Sequence, residues 1–257
     1  MSLAMRHKAK MAGRQRAANS AALPGKRPAA PQRSREVTEY ENRRAELGED
    51  LRSLKEIQSI EAKIARKADL LPKYDDWCAG VLEAAAAAQA EDKRIETDDI
   101  LVQTMVWAID CADAERAVPR AAVVIGHGME LPTRFERTAG CMIAEEFAET
   151  AMKALQLDET SVPPLAPFLT IEELTEGEDM PDQVRAKLHR AIGEVILRAA
   201  DVAPEGDQGP AGGKRAAITA AIGKFKRALQ LDSKAGVKKL IEARERQLRD
   251  LEATANE

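Results

Sequence analysis

Wherever apolar residues recur along this chain, they do so at steps of three and four, the spacing of one helix face. From 36 to 70 the stretch EVTEYENRRAELGEDLRSLKEIQSIEAKIARKADL sets Tyr40, Leu47, Leu51 and Leu54 at heptad-like steps, followed by Ile57, Ile60, Ile64 and Leu71. The seam is narrow, charges flank it, and Arg44 and Gln58 interrupt it. This pattern predicts one long amphipathic helix with partial coiled-coil character. Its partner is open at this point: the chain's own domain, or the same helix in a second subunit.

Further helices follow. Pro72 breaks the chain and suits the first turn of PKYDDWCAGVLEAAAAAQAE. Thr97, Asp98 and Asp99 supply a cap and dipole-matched acids for ILVQTMVWAIDCA, which aligns Ile100, Thr104, Trp107 and Cys111. Asp113 caps AERAVPRAAVVIG, with a kink expected at Pro119. A helix over roughly 134–156 presents Phe135, Ile143, Phe147 and Ala151. Proline-rich SVPPLAP (161–167) reads as a connector, and Thr170-Ile-Glu-Glu173 as a capping box. Three patterns remain: Val184, Leu188, Ile192, Val195; Ile218, Ile222, Phe225, Leu229; and Val237, Ile241, Leu248, Leu251. APEGDQGPAGGKRA separates the first two as a flexible loop.

Composition supports this picture. Aromatics make up 3% of the residues and alanine is abundant, which favours helices over sheets. The fold class is therefore all-α. Three segments are expected: an arm over 1–35, a helical body with a long oligomerisation helix over 36–160, and a C-terminal helical domain over 161–257.

Charge separates the arm from the rest. Residues 1–35 hold Arg6, Lys8, Lys10, Arg14, Arg16, Lys26, Arg27, Arg33 and Arg35 and no acid, a charge of +9. The whole chain carries −4, so the remainder carries −13. With Pro24, Pro28 and Pro31 and little apolar surface, the arm reads as disordered. A basic arm on an acidic body is a pattern for contacting a polyanion, so those nine side chains are the candidate DNA-binding residues. Tyr40, Leu47, Leu51, Leu54, Ile57 and Ile64 are the candidate oligomerisation residues.

No catalytic, cofactor or metal site is expected. GPAGGKRA lacks the leading glycine and trailing hydroxyl of a P-loop, having Gln208 and Arg215 there, and no strand precedes it. Cys78, Cys111 and Cys141 are odd in number, and with His127 they fit no standard zinc spacing. They read as reduced thiols of a cytoplasmic protein. Asp76 with Glu91-Asp92-Lys93 loosely imitates a restriction-type nuclease pattern, but on helical sequence. In AVVIGHGMELP (122–132) a glycine ends a helix and Pro132 prevents its resumption. His127 then sits at a helix C-terminus, where a cation is favoured if it protonates. No apolar run is long enough to span a bilayer, and no apolar segment follows the basic N-terminus as a secretory signal requires.

The order of four stretches resembles one family. They are ADLLPKYDDWCAGVLE, TDDILVQTMVWAIDCADAERAVPRAAVVIGHGMELPTRF, MPDQVRAKLHRAIGEVIL and FKRALQLDSKAGVKKLIEARERQL. The family is the small subunit of tailed-phage terminases, also called the terminase endonuclease subunit. The resemblance implies a DNA-packaging protein of the host cell cytoplasm that binds the cohesive-end, packaging-initiation site on viral DNA. It implies a homo-oligomer, commonly a ring, which recruits and regulates the large ATPase-nuclease subunit. The rival readings are a metal-dependent endonuclease in its own right and a purely protein-binding adaptor. FKRALQLDSKAG also looks like the second helix of a tetratricopeptide repeat, which implies a C-terminal helical hairpin.

Overall fold

The computed structural model describes residues 32–157, 160–202 and 213–254. Among them the secondary structure is helical throughout, with no strand. The chain divides into two compact units, Met1–Glu136 and Arg137–Glu257. No helix among the described residues is long and apolar enough to cross a membrane.

In the first unit, α1 spans Gln32–Glu56 and α2 spans Ile60–Leu70. A 3₁₀ turn over Leu71–Tyr74, which Pro72 opens, leads into α3, Asp75–Ala90, so the proline precedes that helix and is not in its first turn. Then come α4, Asp99–Asp110, and α5, Ala114–Gly126, which runs on through Pro119. The single helix expected over 36–70 is thus two. Ser59 adopts an extended backbone and its hydroxyl accepts from the Ala62 N–H, so a new helix starts at Ile60.

Helix α4 forms the centre of this unit. Ile100, Leu101, Val102, Met105, Trp107, Ala108 and Ile109 are all buried, as expected of a helix apolar on every side. Helices α1, α2, α3 and α5 all pack on it. Fully buried Asp98 caps it, accepting from the N–H groups of Ile100 at 3.0 Å and Leu101 at 2.9 Å. Asp113 caps α5 through the Arg116 N–H. Helix α5 stops where the glycines predict: Gly128 has φ 63°, and the Met129 and Gly128 N–H groups return to the Val124 and Ile125 carbonyls.

The second unit comprises α6 (Ala139–Leu157), α7 (Leu165–Leu174), α8 (Asp182–Val202), α9 (Gly213–Leu231) and α10 (Lys238–Thr254). Helix α8 packs against α6, α7 and α9, while α10 packs on α9 as a helical hairpin. Val184, Leu188, Ile192 and Val195 are buried, as are Ile218, Ile222 and Phe225 opposite them. Gly193 is what lets α9 approach α8, because a Cβ there would lie 2.5 Å from Phe225 Cε1.

Two local expectations need correction. The helix expected from 134 begins at Ala139, leaving Phe135 in a turn whose N–H returns to the Pro132 carbonyl. The Thr170 capping box does not form. Helix α7 already starts after Pro164, with Pro167 in the first turn where an N–H is not needed, so Thr170 is interior and bonds the Ala166 carbonyl. Helix α6 and the 161–167 connector both belong to the second compact unit.

Candidate DNA-contact and assembly surfaces

Of the nine candidate DNA-binding residues, Arg6, Lys8, Lys10, Arg14, Arg16, Lys26 and Arg27 lie outside the described residues. Arg33 and Arg35 fall in the first turns of α1. Whatever the arm contacts, it is joined to a helix fixed on its own unit. The Tyr40 ring packs on Trp77 at 5.7 Å, and its hydroxyl accepts from the Asp99 N–H. Burial, with Asp98 and Asp99 adding to it, pushes the Tyr40 phenol up to about 12. Arg44 Nε meets Asp99 at 2.7 Å. Buried Tyr74 donates to Asp50 at 2.6 Å, and Lys73 Nζ joins the same carboxylate at 2.8 Å.

The six candidate oligomerisation residues divide. Leu47 and Leu54 are 4% and 6% exposed and fill the core of their own unit. Tyr40, Leu51 and Ile57 are half-buried. Ile64 is 37% exposed, and its neighbour Ile60, one turn earlier on α2, is 76% exposed. The pattern read as one seam therefore turns inward on α1 and outward on α2.

Carboxylates near the Asp76 and Glu91 positions weighed for nuclease chemistry hold the fold together. Asp75 accepts from Arg116 Nε at 2.9 Å and Nη2 at 2.7 Å, and from buried Arg120 at 2.7 Å. Arg116 leads in holding the Asp75 carboxyl below its ordinary range; burial opposes and Arg120 assists. Arg116 Nη1 also meets Asp113 at 2.6 Å. Asp98 takes the Trp77 indole N–H at 3.2 Å besides its capping bonds. Asp76 opens α3 and Glu91 follows its end, roughly 22 Å apart along the helix, so they share no ion. Among the described residues no three His, Cys, Asp or Glu side chains gather as a metal site.

His127 is an acceptor rather than a cation. Its Nδ1 receives the Ile95 N–H at 3.2 Å, and burial, with Arg94 nearby, lowers its pKa. The favour that the α5 C-terminus would extend to a protonated ring therefore does not come into play: a ring nitrogen that accepts must be unprotonated. Cys78 touches Thr104 at 3.3 Å, and burial raises its thiol to about 11. Cys111 is raised to about 11 by burial and Asp110. Such thiols stay protonated and are poor nucleophiles near neutral pH.

One polar cluster escaped the sequence reading. Glu172 of α7 meets His189 Nδ1 of α8 at 2.8 Å and the Lys224 ammonium of α9. Burial alone would raise the Glu172 carboxyl, but His189 and Lys224 outweigh it and lower its pKa. The three line an open cleft of about 720 Å³ with Leu169, Arg185 and Arg227. Three separate helices supply them, so no spacing in the chain announces the group.

The chain is similar to known phage proteins. Residues 44–183 match the family described as phage small terminase subunit. The chain is 40% identical over 230 residues to the terminase, endonuclease subunit of Escherichia phage P2, covering 90% of this chain and 82% of that protein. No solved structure matches it.

Proposed function

The chain belongs to the phage small terminase subunit family, and from that premise we propose that it binds the cohesive-end, packaging-initiation site of viral double-stranded DNA as a homo-oligomer, commonly a ring in such subunits, and recruits and regulates the large ATPase-nuclease subunit. The observation that carries the DNA-binding part is the charge division, +9 over residues 1–35 against −13 over the rest. The acidic body is repelled by phosphates while each arm displaces counterions from them. Several arms on one assembly act at a raised effective concentration, so no single arm needs high affinity.

The name of the phage P2 relative, an endonuclease subunit, favours a second reading in which the chain itself cuts DNA. Against it stands the use of Asp75, Asp98 and Asp113 in caps and arginine pairs. Purified chain with magnesium or manganese and DNA bearing the cohesive-end site separates the two. The first reading expects a shifted band and uncut DNA. Reproducible cutting, abolished by one Asp→Ala change, would establish the second.

A further inference from the structure

Beyond the arm, positive charge is concentrated in one folded place. Residues 213–241 hold eight lysines and arginines and a single acid, Asp232, a charge of +7. The other residues after the arm then carry −20. Helix α9 itself has Lys214, Arg215, Lys224, Lys226 and Arg227 and no acid. Part of this charge is used within the fold: Lys224 meets Glu172, Lys226 meets Glu245 at 2.7 Å, and Lys214 lies 3.9 Å from Asp201. Arg227, Lys234, Lys238 and Lys239 are exposed, and none of them is in an ion pair among the described residues.

The three lysines cluster at the turn from α9 to α10, and that turn is held in one shape. The Asp232 carboxylate accepts from the Lys234 N–H at 2.8 Å, Arg190 of α8 donates to the Ala235 carbonyl at 3.0 Å, and Val237 is fully buried. Gly236 bends the backbone with φ 73°. The cations are thus presented from a backbone fixed on its own unit. Like charges crowded at one turn repel, so the cluster is unfavourable for the chain alone and is relieved by an anion. A protein partner fits this surface poorly. Among the described residues from 213 to 254 no large apolar side chain is exposed, and lysine is depleted where proteins meet. Phosphates along a DNA backbone match it, because they call for point cations and no apolar core.

We propose that Lys234, Lys238 and Lys239, with Arg227 near the end of α9, form a second DNA contact that binds backbone phosphates without reading sequence. This rests on the DNA-binding reading above and adds to the arm a surface on the folded C-terminal hairpin. Fluorescence anisotropy of the full chain on a random-sequence DNA duplex, across a salt series, tests it. Lys234→Ala, Lys238→Ala and Lys239→Ala together keep the native melting curve, since all three side chains are exposed. They weaken binding at low salt by about tenfold or more and lower the slope of log affinity against log salt by about three. Lys234→Arg, Lys238→Arg and Lys239→Arg together keep the native affinity and slope. Native affinity and slope in the alanine variant overturn the contact and leave the turn to an acidic protein. An equal loss in the arginine variant overturns it too, because charge would not be what binds. A native chain that leaves the duplex unbound at low salt overturns both this contact and the DNA-binding reading it rests on.

Discussion

Helices α1 and α2 carry one continuous apolar repeat, and the fold uses its two halves in opposite ways. Leu47 and Leu54 of α1 are sealed against their own unit, whereas Ile60 and Ile64 of α2 face outward. What holds each helix differs accordingly. Helix α1 is held by burial and by Tyr40, Arg44 and Asp50 contacts to the elements around α4. Helix α2 is held by the Ser59 cap, the Lys67–Asp110 pair and buried Leu70 at its end. An apolar period fixes which residues share a face; it does not fix whose surface that face meets.

Substitutions along the repeat put this contrast at risk. The largest effect is expected at Leu54→Asp, where a buried leucine becomes an unpartnered charge: a loss of about 3–5 kcal/mol in denaturant unfolding, enough to unfold a domain of ordinary stability. A Leu54→Asp chain that unfolds like the native one but assembles less would move the α1 seam to the outside and erase the contrast. Ser59→Ala removes the cap of α2 and should cost about 1 kcal/mol. Faster hydrogen exchange confined to α2 amides would show that cost, and native exchange there would show that α2 is held by burial after all. The smallest effect on stability is expected at Ile60→Gln, within about 0.5 kcal/mol of native, because the side chain is already in water. A large loss there, measured at concentrations where the chain is monomeric, would mean that Ile60 is inward.

The helical class was legible because almost every apolar repeat has a helix period and aromatics are scarce. So were local devices that act within a few residues: Asp98 and Asp113 as caps, and Gly126 or Gly128 as the left-handed stop of α5, which the structure gives to Gly128. The Ser59 break was not read, although its residue type allows a cap, because a serine inside a continuing apolar pattern is ambiguous until its backbone is seen. The Thr170 box failed for the opposite reason: a four-residue motif was present, but Pro164 and Pro167 had already set the helix start. His127 was placed correctly at a helix end, but its partner, the Ile95 N–H, lies 32 residues away and could not be read. The Glu172–His189–Lys224 cluster was invisible for the same reason. Distance along the chain, more than chemistry, set what could be read.

On the proposed function, DNA is held through the basic arm while the folded units supply shape and assembly. Removing residues 1–31 deletes seven of the nine candidate basic side chains and leaves α1 whole. The decisive measurement is the affinity of the full and shortened chains for DNA bearing the cohesive-end site, across a series of salt concentrations. For the full chain, affinity should fall steeply with salt; for the shortened chain it should be at least about tenfold weaker at low salt and fall with a shallower slope. A shortened chain that binds as tightly, with the same salt slope, would contradict the claim and place the DNA-binding surface on the folded units.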